Sequence, residues 1–288
     1  MMKYLAYMRT EFLKNLQYRA NYWGSIANGI IAILIQQALW RAVYRASSGF
    51  SAAGQALTPD LGNIVPATAQ MAGAGEIAGI GLGTMLTYAM MGRVVSGFLT
   101  IGQGANCGRK VRTGAIVHDL VKPLDIHIQG FFQNLGGALF RLVGVGGPLF
   151  AAMVLLGWLQ VPPLKTVALF AISLFAGQVT LFATVFLCNL LSFYTKTGVG
   201  IDHIYSAVLL LSGVFVPVEF FPQWLKAISL CLPFASVHYV PVGIWSGIIG
   251  PGQVLESLSV QGFWTVGMVW MSRFLWERAL GHLTIQGG

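Results

Sequence analysis

RKVRTGAIVHDLVKPLD, from Arg109 to Asp125, is a short basic stretch between long apolar segments. It reads as a structured cytoplasmic loop of a membrane protein, and the composition around it says why. Charged residues make up only 9% of the 288, apolar residues 56%, and the mean hydropathy is +0.70. Soluble domains carry about 25% charged residues. The apolar residues also fall in charge-free runs long enough to cross a bilayer, which takes about 20 residues as a helix. The net charge of +8 does not indicate nucleic acid, because the Lys and Arg are spread over short loops. Cys107, Cys188 and Cys231 lie far apart, with no CxxC and no nearby His pair, so they read as packing residues and no metal site is expected.

Residues 1–19 mix Lys3, Arg9, Glu11, Lys14 and Arg19 with apolar residues. On a helical wheel Leu5, Met8, Phe12 and Leu16 share a face, Lys3 and Lys14 lie opposite, and Arg9 sits at the boundary. This predicts an amphipathic helix in the cytoplasmic interface; a charged extension of the first span is the other reading. The apolar run that follows is too long for the apolar core of a cleavable signal and should remain as an anchor. Residues 20–288 are expected to form a single transmembrane domain.

The spans read in order as follows. The first starts at Ala20–Trp40 and ends near Arg41 or Arg45, and residues 46–78 form an external loop. The second runs from about Gly79 to Ile101, and a cytoplasmic loop occupies 103–128. The third lies between about Phe131 and Leu156, the fourth between about Thr166 and Tyr194, with Pro162 and Pro163 turning the chain between them. The fifth covers about His203 to Val216 and the sixth about Leu258 to Trp276. Lys3, Arg9, Lys14, Arg19, Arg109, Lys110, Arg112, Lys122, Lys196 and Arg278 collect on one side. Only Arg41, Arg45, Lys165 and Lys226 fall on the other. The positive-inside rule then places both termini in the cytoplasm, with an even number of crossings in the cytoplasmic membrane. The expected fold class is an all-α integral membrane protein with about six transmembrane helices.

After the fifth span comes GVFVPVEFFPQWLKAISLCLPFASVHYVPVGIWSG. Pro217, Pro222, Pro233 and Pro241 break it into pieces of about ten residues, too short to cross. It is too apolar for a water-exposed loop, and Glu219 and Lys226 argue against ordinary spans. Residues 217–252 are therefore expected to form short re-entrant helices packed on the protein at the external face. Phe220, Phe221 and Trp224 would close them as an apolar lid.

Few charges fall inside the spans. Arg93, in the inner half of the second span, can snorkel to the headgroups; Arg141, deeper in the third, reads as a structural ion pair or a snorkelling cation. Asp202 and His203 read as a helix cap or a proton relay. Gly75, Gly79 and Gly83, with Gly136, Gly137, Gly144, Gly146 and Gly147, mark close helix approach, a bend near Pro148, or a moving interface.

A phosphate-cradling loop GxxxxGK[ST] is missing. GQGANCGRK, from Gly102 to Lys110, has the wrong spacing and no Ser or Thr after the Lys. No catalytic set is expected in this chain, and energy must come from a partner or an ion gradient.

The amphipathic start, about six spans, the loop pattern Gly114–x(5)–Leu120–x–x–Pro123 and the segment SGVFVPVEFFPQWL resemble the ABC-2 type permease family. More narrowly, the chain resembles small permease subunits of bacterial ABC exporters of uncharacterised cargo. The resemblance covers nearly the whole chain and implies an exporter permease driven by a separate ABC ATPase subunit, which would carry the ATP and magnesium. It implies a second permease subunit, either the same chain or a related one. It also assigns Arg109, Lys110, Arg112, Gly114, His118, Asp119, Leu120, Lys122 and Pro123 to a coupling element, with His118 and Asp119 available to the ATPase. The basic residues there would pair with acidic groups of that subunit or with anionic lipid headgroups. Pro217, Glu219, Phe220, Phe221, Pro222, Trp224 and Pro233 fall at the external gate. The aromatic mouth and the scarcity of charge in the spans favour an amphipathic or lipid-like cargo. A gradient-driven secondary transporter would want carboxylates within the spans, and an assembly scaffold or membrane enzyme would want polar residues clustered in one plane.

Overall fold

The structure is a computed structural model and describes residues 2–17, 19–57, 76–101, 110, 116–122, 124–195 and 209–280. Helix α1 (Met2–Gln17) leads into α2 (Arg19–Leu57), a single helix of 39 residues. Arg41 and Arg45 do not end it, because Arg is a good helix former. Residues 46–57, expected in a loop, therefore continue the helix. At 1.5 Å per residue α2 is about 58 Å long, nearly twice the hydrocarbon thickness.

Ahead of the second apolar helix lies a small antiparallel hairpin, β1 (Glu76–Ile77) and β2 (Ile80–Gly81). Ala78 and Gly79 turn it with φ of 54° and 74°, the pair of positive values that a two-residue hairpin turn of matching twist requires. Tyr44 of α2 donates from Oη to the Ile80 carbonyl at 2.7 Å, fixing the hairpin to the helix. This moves the start of the second apolar helix from the expected Gly79 to Leu82, giving α3 (Leu82–Ser96).

Beyond the loop come α4 (Ile116–Leu120) and α5 (Ile126–Phe140). A π-helical turn (Arg141–Gly146) and α6 (Gly147–Leu155) extend α5. The π turn sits just before Pro148, which has no N–H for the usual bond four residues back. Gly147 instead donates to the Leu142 carbonyl, five residues back. The bend expected near Pro148 is thus a π turn, where the glycines leave room for it. Helix α7 (Leu164–Thr195) follows the Pro162–Pro163 turn. The proline-rich stretch forms a 3-10 turn (Val218–Phe220), α8 (Gln223–Cys231) and α9 (Tyr239–Ser246), and α10 (Val254–Leu280) ends the described chain.

Among the described residues, three stretches are long and apolar enough to cross a membrane: Tyr22–Ser47, Ile126–Leu155 and Leu164–Leu190. Most of the expected fifth span, with Asp202 and His203, lies outside the described residues. The interior holds an apolar core around Met85, Leu99, Phe182 and Phe186, but it also takes in polar side chains while large apolar ones face outward. Ser173, Gln178, Thr180, Thr184, Asn189, Gln261 and Ser272 are buried, while Trp23, Ile31, Ile35, Phe263, Val266 and Trp270 are exposed. Lipid supplies no hydrogen bonds, so polar side chains turn inward.

The seam between α7 and α10 shows the pattern most clearly. Gln261 donates from Nε2 to the carbonyls of Ser173 (2.9 Å) and Ser236 (2.7 Å), and its Oε1 accepts the Ser173 hydroxyl at 2.8 Å. One turn on, the Thr180 and Thr265 hydroxyls pair at 2.8 Å. Further along, His127 of α5 meets the Ser272 hydroxyl at 3.0 Å, its ring packed edge-on against Phe182 and Phe186.

Helix α1 runs alongside α5 in matching register and direction. Tyr4 stacks on Phe132, Met8 faces Gly136 and Phe12 meets Phe140. The packed face is therefore Tyr4, Tyr7, Met8, Glu11, Phe12 and Asn15. Leu5 and Leu16, expected on the same face as Met8 and Phe12, are exposed along with Met2 and Leu13. The helix has two apolar stripes, and α5 takes the aromatic one because the rings of Phe132 and Phe140 fit against it.

A Cβ at Gly136 would collide with the Met8 carbonyl. Overpacking of this kind costs about 1–3 kcal/mol. Gly136→Ala should lower the thermal midpoint of the purified protein and weaken a disulfide engineered between positions 4 and 132. Gly262→Ala, where nothing lies within 4 Å, serves as the control. Equal behaviour of the two variants would contradict the packing described.

Candidate functional site

The candidate coupling element lies between α3 and α5. Ile116 anchors α4 in the interior, and Asp119 follows it inward, only 7% exposed. Lys110 reaches Asp119 Oδ2 at 2.8 Å and Lys122 reaches Oδ1 at 3.1 Å. This corrects the expectation that Asp119 faces a partner: it bridges two lysines that bracket the short helix. His118 is the exposed member, and Leu120 ends the helix. Arg109, Arg112, Gly114 and Pro123 lie outside the described residues.

Burial by itself raises the Asp119 pKa, but the hydrogen bonds and charges of Lys110 and Lys122 outweigh it and hold the carboxyl below the usual aspartate value. Lys122 is shifted up, chiefly by its bond to Asp119 and further by the Tyr7 hydroxyl of α1.

Asp125 closes the element. Its Oδ1 accepts the N–H groups of His127 (2.9 Å) and Ile128 (3.2 Å), capping α5. Its Oδ2 pairs with Arg273 of α10 at 3.1 Å, and its own N–H donates to the Tyr4 hydroxyl at 3.2 Å. The start of α1, the start of α5 and the last turns of α10 thus meet at one residue. Asp before an apolar helical run is a legible cap signal. Tyr4 and Arg273 lie too far along the chain for any local pattern to join them to it.

At the opposite end lie the residues of the expected gate. Pro217 and Pro233 are buried, and Pro222 stands exposed at the start of α8. Pro241 does not break the chain as expected: it occupies the first turn of α9, where its missing N–H has no helical acceptor to lose. Tyr239 donates its hydroxyl to Glu219 Oε1. The fully buried Tyr88 of α3 donates to the Gly213 carbonyl at 2.6 Å, where the backbone turns with φ of 77°. Phe220 packs on Trp40 of α2, centroids 5.5 Å apart, and Phe221 is half-buried. Trp224 is 66% exposed and does not pack with them as the expected lid required. Sequence reasoning missed Tyr88 and Tyr239, whose spacing to Glu219 carries no signal.

Arg93 and Arg141 come together. With Ser25, Asn28, Ser96 and Thr100 they line a cavity of about 230 Å³ between α2, α3 and the π turn. No group of three or more His, Cys, Asp or Glu suited to a metal occurs among the described residues.

Residues 64–287 match the family described as ABC-2 family transporter protein. The chain belongs to this family. No curated protein and no solved structure matches it. This ABC-2 transporter is a multi-pass membrane transport protein, and the matched stretch takes in the α3–α5 loop, the short helices α8 and α9, and α10. Helices α1 and α2 precede it.

Two outcomes test the geometry of the two ends. Asp119→Asn removes both lysine pairs and should speed limited proteolysis between α3 and α5. Because the folded pKa is depressed, the stabilisation by Asp119 is present above the ordinary aspartate value of about 4 and lost as pH falls through the lower folded value. The wild-type loop should therefore loosen at strongly acidic pH, and the Asn variant should show no such step. At the mouth, Phe220→Ala should lower stability by about 1 kcal/mol or more through loss of its ring pair with Trp40. Trp224→Ala should leave the thermal midpoint unchanged.

Proposed function

We propose that this ABC-2 transporter is the permease subunit of an ABC exporter. It carries cargo across the cytoplasmic membrane with ATP hydrolysed on a separate ATPase subunit, to which ATP and its magnesium belong. About six spans, both termini in the cytoplasm and a second permease subunit complete the unit. The alternative readings gain no support from the geometry.

The observation that carries this reading is the construction of the α3–α5 loop. A soluble motor can only drive a membrane protein through a contact that does not yield. Here a one-turn helix is locked by Asp119 between two lysines, and three residues after Lys122 the chain is tied at Asp125 to α1, α5 and α10. A push on this loop acts on the ends of three helices at once, and α5 continues through the π turn into α6. His118, exposed on the short helix, is the residue for direct contact, with Arg109 and Arg112 beside it in sequence. The ends of α1, α5 and α10 gather at Asp125, while the hairpin and mouth helices gather at the other end, an arrangement that fits cytoplasmic termini.

In this mechanism ATP binding closes the ATPase dimer and moves the loop. The displacement reaches the mouth through α3, whose Tyr88 holds the Gly213 turn beside Glu219, Tyr239 and Phe220. Opening requires these contacts to part in sequence, and the half-buried aromatic lid keeps the path shut at rest.

The test is co-expression with ABC ATPases of the same organism. One of them should co-purify with the chain and hydrolyse ATP faster in its presence. His118→Glu should lower that stimulation several-fold without changing the amount of inserted permease. Failure of every ABC ATPase to associate, or full stimulation by the His118 variant together with a variant at Arg112, would overturn the assignment.

A further inference from the structure

Glu219 is a carboxylate whose surroundings do little for its charge. It sits in the 3-10 turn Val218–Phe220, and its Oε1 accepts the Tyr239 hydroxyl. Its Oε2 is buried and has no hydrogen-bond partner. It takes part in none of the ion pairs among the described residues. Its neighbours are apolar and aromatic. A Cβ at Gly213 would lie 3.2 Å from each of Tyr88 Oη, Tyr239 Cβ and Val218 Cγ2, so both tyrosines and the turn converge at one point. Tyr88 lies within electrostatic reach of the Glu219 carboxylate. Phe220, next in sequence, leans on Trp40 with ring centroids 5.5 Å apart, and Trp40 Nε1 is also buried without a partner.

We propose that Glu219 binds the positive head of an organic ammonium ion, and that the cargo of this transporter is an amphiphilic cation. An ionised carboxylate held out of water is costly unless it meets a positive group. One hydroxyl on one oxygen leaves most of its acceptor capacity unused. The class of cation follows from the rest of the cluster. A hard metal ion such as calcium takes six or more oxygens. Here there is one carboxylate, and two backbone carbonyls beside it each already accept a hydrogen bond, Gly213 from the Tyr88 hydroxyl and Ser212 from the Tyr239 N–H. Aromatic rings, in contrast, present electron-rich faces that attract ammonium groups within about 6 Å, and Tyr88, Tyr239, Phe220 and Trp40 bring four rings to this region. Glu219 is itself partly exposed, so the carboxylate lies near the edge of the fold. A ligand entering past the half-buried Phe220 and Phe221 reaches it as the Tyr239 bond parts, with an apolar tail left along those rings. The cargo assignment rests on the permease reading; the binding site does not.

The test uses the full-length protein alone in lipid nanodiscs, read by isothermal titration calorimetry against empty nanodiscs and by thermal shift. The probes are benzyltrimethylammonium, its uncharged isostere neopentylbenzene, and calcium ions. Benzyltrimethylammonium should bind saturably and raise the thermal midpoint, and neopentylbenzene should do neither. Glu219→Gln keeps an acceptor for Tyr239 but not the charge. It should weaken ammonium binding about tenfold or more, the loss expected for a contact to a charged group, while Glu219→Asp should retain part of it. Tyr239→Phe keeps the ring and removes the hydroxyl that competes for Oε1, so binding should hold or tighten; this variant keeps the proposal falsifiable if Glu219→Gln does not fold. Equal binding of the two organic probes, undiminished binding in Glu219→Gln, or loss of binding in Tyr239→Phe overturns the proposal. Saturable calcium binding that excludes benzyltrimethylammonium and is lost in Glu219→Gln assigns the carboxylate to a metal ion and overturns it as well. Ammonium binding without any associating ABC ATPase would leave the site and remove the permease reading, whereas ATPase stimulation without ammonium binding would do the reverse.

Discussion

A polar group inside an apolar medium must find its partner within the protein, and Gln261 shows how far this constraint organises the molecule. Its amide uses both N–H bonds and one acceptor position, joining α10 to α7 and to the chain that leads into α9. Removing it would leave the Ser236 carbonyl and the Ser173 hydroxyl without their partner in surroundings that offer no water. Each such bond within a membrane contributes only about 1 kcal/mol. Their effect lies in direction. Together with the Thr180–Thr265 and His127–Ser272 pairs they fix which faces of α5, α7 and α10 meet, where dispersion forces alone would tolerate rotation. The outward faces are then free to be uniformly apolar.

The same logic places the short helices of the proline-rich stretch. Helices of eight or nine residues cannot cross a bilayer, and their ends expose carbonyls and N–H groups. The Tyr88 hydroxyl donates to the Gly213 carbonyl, the Ser212 carbonyl accepts the Tyr239 N–H, and the Tyr239 hydroxyl donates to one oxygen of Glu219. The proline-rich stretch is thus held to α3 by a specific hydrogen bond and to α2 by the Phe220–Trp40 contact. At the other end Asp125 ties the starts of α1 and α5 to the last turns of α10.

Much of this was legible because membrane residence imposes strong local rules. The third and fourth spans follow from length and hydropathy, and the mouth segment from prolines spaced too closely for a crossing. The pairing of Arg93 and Arg141 was not legible. Each read as a separate snorkelling or ion-paired cation, and only the packing of α3 against the π turn brings them to one cavity. Asp119 was misjudged for a related reason. In sequence it is one charge among several in a polar loop, yet burial of Ile116 one turn earlier carries it inward, where two lysines of matching reach are available. Trp224 failed in the opposite sense: it follows two aromatics that pack, but α8 begins at Gln223 and turns its ring away.

By itself the sequence determined the class of the protein, the position of the α3–α5 loop, the weak points at proline and glycine, and the absence of a nucleotide-binding motif. These follow from composition and from spacing within some twenty residues, the range over which hydropathy and backbone chemistry act. The tertiary structure decided which faces pack, which charges are used internally and which are left outward. Tyr4, Asp125 and Arg273 meet across the whole chain, and α1 chooses one apolar stripe over another because Phe132 and Phe140 lie in step with it. Those outcomes depend on the three-dimensional fit of side chains brought together by distant segments, and no local pattern encodes that fit.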